Sequence, residues 1–317
     1  MVTLIILAYN EEENIELTIS TYINEFEEII IVNDGSKDKT SNILSSYSSK
    51  KNIKIINNEK NLGAGISFEI AISEFLKSNS DYLIKIDGDN QFNKEDVLKI
   101  KKTFNSNHFD YIKCDRFWSG GINGQIPLIR YFGNAFASIL IKFSSGNWYI
   151  NDPLNGLIGL SKKAAKKIKL PKLFYKYGYP FFIANFICKL GSINKYKIGQ
   201  YKNIVTYGKE KSYLKPLNMF FKLIYFSIQN YYSKIKEKIY YSEYQYSSIL
   251  DILSNLILVF SFFSLQRFIR IRYFNLDGPQ SSWFILFILF VLISIFFTAR
   301  SQRIENNFSK VNYQDIL

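Results

Sequence analysis

Histidine and cysteine are nearly absent from this sequence of 317 residues, which has one histidine and two cysteines. A Ser-His or Cys-His catalytic arrangement would have to use His108, which stands in a polar run that is typical of a surface loop. Cys114 and Cys188 are far apart in sequence and match no spacing typical of a metal site or a disulfide framework. These shortages argue against histidine-based nucleophilic catalysis and favour a reducing compartment for the folded part.

The chain also lacks the charged start and small-residue cleavage site of a secretory signal, and residues 2–8 have the length of a single strand. No internal repeat or low-complexity linker is evident. Charge is plentiful, because the formal net charge is +13 with 17% aromatic residues. This balance suits a folded protein that meets nucleic acid, anionic lipid or phosphorylated substrates. Since no basic motif with interleaved surface aromatic residues is present, we expect no nucleic-acid partner.

Short apolar, β-branched runs alternate with helical segments along the first part of the chain. The runs predict buried strands at residues 2–8, 29–32, 53–56, 82–86 and 110–114. The helices between them are predicted after a cap at Asn10, from about residue 40, and at residues 66–76 and 95–104. Such alternation predicts an α/β fold with a mostly parallel sheet and helices on both faces.

The strand at residues 82–86 ends in the sequence KIDGDNQ, in which the oxygen-bearing side chains of Asp87, Asp89 and Gln91 alternate. Strand ends are where open α/β sheets bind their ligands. Oxygens at this spacing can converge on a hard divalent cation that keeps sites for water and phosphate, and Gly88 allows a tight turn between the carboxylates. A solvated turn is the alternative for an isolated Asp-x-Asp, but the neighbouring loops favour a metal site.

Two further strand-end loops carry groups that suit a nucleotide. Asp34 can accept hydrogen bonds from the N–H groups of a nucleobase. Gly63 and Gly65 precede a helix, where backbone can approach a ligand closely and the helix N-terminus favours an anion. Because loops that follow parallel strands gather at one edge of the sheet, we expect these groups to lie near Asp87.

The order and spacing of these motifs resemble those of family 2 glycosyltransferases with the GT-A fold, and the resemblance covers about residues 1–215. The motifs are residues 8–12 (AYNEE), 32–36 (VNDGS), 61–65 (NLGAG) and 87–91 (DGDNQ). The Asp-x-Asp-x-Gln pattern is typical of the branch that contains dolichol-phosphate mannose synthases and bacterial polyprenyl-phosphate glucosyltransferases.

The resemblance implies roles for individual residues. A nucleotide sugar, UDP- or GDP-linked, would be bound by Ala8, Tyr9, Asn10, Glu11, Asp34, Gly63, Asp87 and Gly88. Asp87, Asp89 and Gln91 would meet Mg²⁺ or Mn²⁺. We assign catalytic roles to Asp89 and to Asp152, which begins a DPLNG segment that resembles the Asp-Pro-x-x-Gly motif of the family. A simple turn before a strand at residues 157–160 is an equally good interpretation of that segment.

Four basic residues are predicted to bind the phosphate of the acceptor. Arg116 and Arg130 match the positions of phosphate-binding arginines in similar enzymes, and a guanidinium group suits phosphate oxygens. An ordinary surface position is the alternative for each arginine. Lys209 and Lys211 stand where an arginine normally covers the phosphates, and we expect them to supply positive charge as a flexible lid.

Apolar character rises beyond about residue 214. Residues 217–232 favour a helix in the membrane interface, with a packing helix as the alternative. Residues 249–265 and 283–299 are apolar runs near spanning length, and a transmembrane hairpin is favoured over two buried core helices. A basic connector is predicted between them, with Arg267, Arg270 and Arg272.

These patterns divide the chain into four parts. They are a GT-A catalytic domain at residues 1–213, an interfacial helical segment at 214–247, a transmembrane hairpin at 248–300 and a cytoplasmic tail at 301–317. We expect a multi-pass protein of the cell (inner) membrane whose catalytic domain faces the cytoplasm, where it would use nucleotide sugars. The sequence leaves open whether copies associate into a homo-oligomer.

The predicted reaction is inverting, metal-dependent transfer of a sugar to a membrane polyprenyl phosphate for cell-envelope glycan assembly. A phosphate acceptor is anionic near neutral pH, so it needs positioning rather than deprotonation. One alternative is transfer to a hydroxyl of a lipid-linked saccharide or polysaccharide, with Asp152 as the general base. The other is a non-catalytic membrane protein that uses a degenerate fold for binding or scaffolding.

Overall fold

The computed structural model describes residues 1–106, 109–118, 122–123, 128–189, 196–206, 216–274, 277–311 and 313–316. The strands are β1 (Val2–Ala8), β2 (Glu28–Asn33), β3 (Ile53–Asn57), β4 (Tyr82–Asp87), β5 (Tyr111–Asp115), β6 (Ile122–Asn123), β7 (Ile158–Ser161), β8 (Ile198–Lys202), β9 (Val205–Thr206) and β10 (Tyr313–Ile316). The helices are α1 (Ile15–Tyr22), α2 (Thr40–Ser45), α3 (Ala64–Phe75), α4 (Lys94–Ser106), α5 (Leu128–Ser145), α6 (Lys162–Ala165), α7 (Tyr179–Cys188), α8 (Pro216–Ile239), α9 (Gln245–Phe274) and α10 (Gln280–Val311).

Eight strands form one sheet in the order β10-β8-β5-β7-β4-β1-β2-β3. All neighbours run parallel except β7, which is antiparallel to both β4 and β5. A small second sheet pairs β6 with β9. The predicted α/β fold with a mostly parallel sheet is confirmed, and the carboxyl ends of β1 to β4 lie at one edge.

Helices cover both faces of the sheet, because successive residues of a strand point to opposite faces. Ile5 and Leu7 of β1 belong to one core layer, with Phe68 and Phe75 of α3. Leu4 and Ile6 belong to the other layer, with Ile15 and Ile19 of α1 and Ile100 of α4. β1 is therefore buried on both faces, as its continuous apolar sequence predicts.

The last two helices, α9 and α10, form an antiparallel pair that is long and apolar enough to cross a membrane. Ser254 lies at their crossing and hydrogen-bonds to Ser294, with Oγ atoms 3.0 Å apart, and to Thr298 at 2.7 Å. Ser301 donates to the carbonyl of Ser247 at 3.1 Å. Small hydroxyl side chains at a helix contact allow the backbones to approach closely, which is a typical way to pack helices in lipid.

The structure differs from the predicted hairpin at its tip and at its end. Arg267, Arg270 and Arg272 lie inside α9, which continues to Phe274, so the prediction of a basic connector containing them was wrong. After α10 the chain returns to the catalytic sheet, where β10 pairs in parallel with β8 as the edge strand. Part of the segment that the sequence assigned to a tail, residues 313–316, thus completes the sheet.

A buried ion cluster fastens the apolar hairpin to the rest of the protein. Lys234 of α8 binds Glu305 of α10 at 2.7 Å and donates to the carbonyl of Phe143 in α5 at 2.9 Å. Lys238 of α8 forms ion pairs with both Asp251 of α9 and Glu305. The four charged side chains are almost completely buried. Two positive and two negative charges compensate one another, which is the condition for burying them.

Candidate active site at the ends of the central strands

A cavity of about 370 Å³ lies at the carboxyl ends of β1, β2 and β3. Its lining includes Tyr9, Gly35, Lys37, Asn57, Lys60 and Asn61. Clefts outside the carboxyl ends of parallel strands are the usual ligand sites of open α/β sheets. Of the residues that the resemblance assigns to the nucleotide, Tyr9 lines this cavity.

The loop after β1 is fixed by hydrogen bonds to the loop after β2. The backbone N–H of Asn10 donates to Ser36 Oγ at 3.0 Å, and that of Glu11 donates to Thr40 Oγ1 at 2.8 Å. Asn10 has a positive φ of 55° and does not cap the first helix, which begins at Ile15. The predicted helix start was wrong because these contacts hold residues 10–14 in a loop.

Ala8 and Gly88 shape the backbone beneath the cavity. The carbonyl of Ala8 accepts a hydrogen bond from the N–H of Asp34 at 2.9 Å, and its side chain is buried in the core. Gly88 N donates to the carbonyl of Leu7 at 2.9 Å, and an added Cβ would lie 3.2 Å from Ile15 Cδ1. Their side chains therefore offer no polar group to a nucleotide, and only their backbone can contribute.

Asp34 organises the loop that precedes α3. Its Oδ1 accepts hydrogen bonds from Leu62 N and Asn58 Nδ2, both at 2.9 Å, and its Oδ2 accepts from Gly63 N at 2.8 Å. The side chain is buried. Both oxygens thus have partners within the protein, and the direct contact of Asp34 with a nucleobase stays a prediction.

The N-terminus of α3 is covered by another part of the chain. The backbone N–H groups of Gly65 and Ile66 both donate to the carbonyl of Tyr175, at 2.8 and 3.1 Å. Gly63 has φ of +100°, and a Cβ there would lie 2.6 Å from Lys176 Cα. The glycines therefore permit close approach of the segment around Tyr175, whereas the sequence favoured approach of an anion.

The carboxylates of Asp87 and Asp89 and the ammonium of Lys85 lie at the end of β4, and the charge of Glu11 also acts on Asp89. Lys85 Nζ lies 2.5 Å from Asp87 Oδ1, and the Asp87 side chain is 37% exposed. Burial, together with the carboxylates of Asp87 and Glu11, raises the pKa of Asp89 to about 8. Burial alone would lower the pKa of Lys85, but the Asp87 carboxylate raises it above its usual value. A bound cation would reduce the repulsion between these carboxylates at the strand end.

The donor set fits a divalent metal that shares its coordination with phosphates. In the part of the chain that the structure describes, no group of three or more His, Cys, Asp or Glu side chains is arranged to hold a metal. Mg²⁺ in nucleotide sites commonly uses one or two carboxylates and completes its shell with phosphate and water, and Asp87 with Asp89 can supply that number. Gln91 donates its backbone N–H to Asp89 Oδ1 at 3.2 Å, and a contact of its side chain with a metal stays a prediction.

Asp152 and Arg116 form a second charged pair. Arg116 Nε lies 3.0 Å from Asp152 Oδ2, and Arg116 NH2 donates to Asp152 Oδ1 at 3.1 Å. Arg116 N and Asn155 Nδ2 also donate to Oδ2, at 3.2 and 3.1 Å. Asp152 is completely buried and has φ of +45°. Because both carboxylate oxygens of Asp152 already accept hydrogen bonds and pair with Arg116, the arrangement suits a structural counter-ion.

The DPLNG segment links this pair to the acidic cluster. Asp152 stands at its start, and Gly156 at its end packs against Asp87, where an added Cβ would lie 2.6 Å from Oδ2. The structure therefore brings Asp152, Arg116 and Asp87 to one region. The backbone of Arg130 lies in α5, but its side chain is outside the described residues, as are Lys209, Lys211 and His108.

Sequence reasoning missed Lys85 and Gly156 as members of the site, and it did not single out Lys113 as a buried charge. Lys113 is buried on β5, where burial lowers its pKa to about 8 although the Asp152 carboxylate opposes the shift. A signal for both lysines was present, because each interrupts an otherwise apolar strand. A buried charge in a central strand indicates a buried partner.

Comparisons with known proteins show which family and which individual proteins this chain is similar to. Residues 3–169 match the family model described as Glycosyl transferase family 2. An uncharacterized protein of Methanocaldococcus jannaschii is 30% identical over 232 residues, which cover 70% of this chain and 98% of that protein. The UDP-N-acetylglucosamine–dolichyl-phosphate N-acetylglucosaminyltransferase of Methanococcus voltae is 29% identical over 180 residues, covering 52% of this chain and 71% of that enzyme.

A solved structure shares the fold. The glucosyl-3-phosphoglycerate synthase from Mycobacterium tuberculosis, crystallised with Mn²⁺, UDP and phosphoglyceric acid, superimposes with a TM-score of 0.52 at 15% sequence identity. The match covers 74% of this chain and 78% of that structure. At this identity the likeness shows the fold alone.

Proposed function

This chain belongs to glycosyltransferase family 2, and on that premise we propose that it transfers a sugar from a nucleotide sugar to the phosphate of a membrane polyprenyl lipid. The name of the Methanococcus voltae relative states a dolichyl-phosphate acceptor, which supports a lipid phosphate here. The product would be a polyprenyl-phosphate sugar for assembly of cell-envelope glycans. Which sugar and which nucleotide are used is left to the experiment below.

The observation that carries the proposal is the attachment of the catalytic sheet to two apolar helices. β10 follows α10 directly and pairs with β8 in the same sheet as β4. The ion cluster of Lys234, Lys238, Asp251 and Glu305 ties α8 to the base of the hairpin. A catalytic domain held at a membrane surface can reach the headgroup of a lipid whose polyprenyl tail stays in the bilayer.

The same connection limits the topology of the hairpin. Because β10 and the other strands share one sheet, both ends of the hairpin lie on the side of the catalytic domain. We propose that α9 and α10 each cross the membrane once and that the catalytic domain faces the cytoplasm, where nucleotide sugars are used. Arg267 stacks on Trp283 near the tip, with the guanidinium carbon 5.7 Å from the ring centroid. Tryptophan and arginine are typical anchors at a membrane interface.

α8 presents an apolar face beside the hairpin. Phe221, Tyr225, Ile228 and Tyr232 are exposed on one side of this helix, while Lys234 on the other side is buried. Exposed aromatic side chains that follow the helical period suit the interface between headgroups and acyl chains. We propose that this face lies in the membrane interface and places the strand-end cavity near the lipid headgroups.

In the proposed mechanism the cavity with Tyr9 and Lys37 binds the nucleotide. An oxygen of the acceptor phosphate attacks the anomeric carbon, and the bond from that carbon to the nucleoside diphosphate breaks with inversion. A divalent ion at Asp87 and Asp89 would supply Lewis-acid stabilisation of the departing diphosphate. The acceptor is already anionic, so the reaction needs no general base. Asp152 instead holds Arg116 at the site.

Transfer to a saccharide hydroxyl is the rival reaction, and it would require a base to remove the hydroxyl proton. Asp152 is the residue that the sequence offers for this task. The three hydrogen bonds that its carboxylate accepts from Arg116 and Asn155, together with its complete burial, favour the phosphate acceptor instead.

The test is a transfer screen with membranes that contain the protein. UDP-linked and GDP-linked radiolabelled sugars are offered with polyprenyl phosphate or with a saccharide acceptor, and the label in the lipid extract is counted. Asp89→Ala is expected to lower lipid labelling at least a hundredfold. Asp81→Asn is the matched control, because Asp81 precedes β4 at its opposite end and is 70% exposed. Normal transfer by Asp89→Ala would refute the site, and labelling of the saccharide alone would refute the acceptor.

A further inference from the structure

Lys85 is a completely buried lysine in the middle of the central strand β4. Its side chain is 1% exposed, and its neighbours in the adjacent strands are Ile5 and Ile158. Burial of an ammonium group costs several kcal/mol unless the charge is paired. The partner of Lys85 therefore indicates what the charge does.

The surroundings of Lys85 direct it to a single carboxylate. Nζ lies 2.5 Å from Asp87 Oδ1, and the Tyr179 ring covers it with a centroid distance of 5.5 Å. An added Cβ at Gly156 would lie 3.4 Å from Nζ and 2.6 Å from Asp87 Oδ2. Strand, helix α7 and the DPLNG segment thus enclose the ammonium and hold the Asp87 carboxylate from one side.

Lys85 changes the charge that the acidic cluster presents. The charges of Asp87 and Glu11 both act on Asp89, and the charge of Lys85 opposes theirs there. The Lys85 ammonium adds one positive charge next to these carboxylates, and its removal would leave the cluster more negative by one charge. A positive charge beneath the cluster repels a divalent cation and attracts a diphosphate. In a partly buried site such charges act over several ångströms with little screening.

Building on the proposed donor site, we infer that Lys85 is a positioning residue that makes the site bind a divalent cation together with a nucleoside diphosphate rather than alone. Lys85 binds Oδ1 of Asp87 and neutralises part of the charge of that carboxylate, so the enzyme without nucleotide binds the cation weakly. The diphosphate supplies the missing negative charge when it arrives. Groups that hydrogen-bond to a metal-binding carboxylate are known to change metal affinity.

The inference predicts effects of opposite sign in the variant Lys85→Met, which keeps most of the aliphatic stem. Mn²⁺ alone, measured as free Mn²⁺ by electron paramagnetic resonance, should bind about tenfold more tightly. UDP and GDP without metal, measured by calorimetry in EDTA, should bind about tenfold more weakly. A tenfold change is modest for the loss of a unit charge near a partly buried site. A purely structural role would weaken both ligands.

Asp87→Asn is the second variant, and it gives a test that does not depend on the folding of Lys85→Met. It removes the partner of Lys85, so Mn²⁺ should bind more weakly and the metal-free diphosphates about tenfold more tightly. Lys113→Met is the matched control, since Lys113 is equally buried on β5 and donates to the carbonyl of Cys114 at 2.9 Å. It should change neither affinity by more than twofold.

The outcomes separate this inference from the proposed function. If the wild-type protein binds no Mn²⁺ even with UDP or GDP present, the proposed donor site itself is refuted. If the wild type binds Mn²⁺ but neither the Lys85 nor the Asp87 variant tightens either ligand, the donor site stands and the role of Lys85 is overturned. Opposite shifts in the two variants support both.

Discussion

Gly156→Ala is the substitution that most directly tests whether Asp87 must occupy its observed position. The new Cβ would lie 2.6 Å from Asp87 Oδ2, 3.4 Å from Lys85 Nζ and 3.5 Å from Phe92 Cζ. Carbon and oxygen atoms in contact need roughly 3.3 Å, so the carboxylate or the segment has to move by about 0.7 Å. The Asp87 side chain cannot simply rotate away, because Oδ1 is held by Lys85 at 2.5 Å.

A displacement of this size should affect catalysis more than stability. Misplacing a reacting group by about 1 Å can cost a hundredfold in rate, so we expect kcat/KM to fall between about ten- and a hundredfold. This corresponds to roughly 1.4–2.7 kcal/mol of transition-state stabilisation. Gly156 is not among the described residues with positive φ, so alanine fits its backbone. Alanine also lowers the entropy of the unfolded chain, which offsets part of any strain.

The assay combines sugar transfer into the lipid extract, Mn²⁺ affinity and thermal unfolding in detergent. Gly133→Ala in α5 is the control, because nothing lies within 4 Å of its added Cβ. It should leave transfer unchanged and stabilise the helix by about 0.5–1 kcal/mol. The reasoning would be refuted if Gly156→Ala unfolded like the wild type and kept both its kcat/KM and its Mn²⁺ affinity.

The remaining predictions concern buried charges and the hairpin. Lys238→Met removes the ammonium that pairs with Asp251 and Glu305, so it should cost about 3–5 kcal/mol of unfolding free energy, whereas Lys236→Met on the exposed side of α8 should change it by less than about 0.5 kcal/mol. An equal, small effect of both would contradict a coupling role for the cluster. Burial lowers the pKa of Lys113 to about 8, so the unfolded chain binds more protons than the folded protein between pH 8 and about 10.5. The free energy of unfolding of the wild type, relative to that of Lys113→Met, should therefore rise across that window by up to about 3 kcal/mol. Denaturant unfolding at pH 7.5 and 10 measures this difference, and a difference that does not change with pH would argue against the shift. Ser254→Ala should lower the stability of the hairpin by about 0.6–1.7 kcal/mol, because it removes the hydrogen bonds to Ser294 and Thr298. Ser254→Leu should lower it by more, because leucine would separate α9 from α10. An unchanged melting temperature of Ser254→Leu would show that the two helices do not pack through Ser254.

The sequence determined the strands of the first half and the elements that follow them. β1 matches its predicted bounds, and β2, β3 and β4 each match within one residue at either end. A parallel strand buried on both faces needs a continuous apolar run, and such a run is visible without knowledge of its neighbours. The same locality explains why two long apolar helices were recognised near the end of the chain.

Local pattern failed where a segment takes its conformation from a distant partner. The residues after Asn10 look like a helix start, but hydrogen bonds to the loop around Ser36 hold this segment in a loop, and the helix begins only at Ile15. The arginines after residue 265 look like a connector, yet helical hydrogen bonds carry α9 through them to Phe274. β10 is four residues long and half polar, and it forms a strand because the edge of β8 supplies its hydrogen bonds.

The candidate site divides in the same way. Sequence alone singled out Asp87, Asp89 and Asp152 as candidate site residues, because each stands in a short motif. Only the tertiary structure decided that Asp87 is paired with a lysine beneath it and that Asp152 is paired with Arg116. The sequence shows where a carboxylate stands, but packing decides which groups pair with it. In a buried site these neighbours determine what the carboxylate can bind.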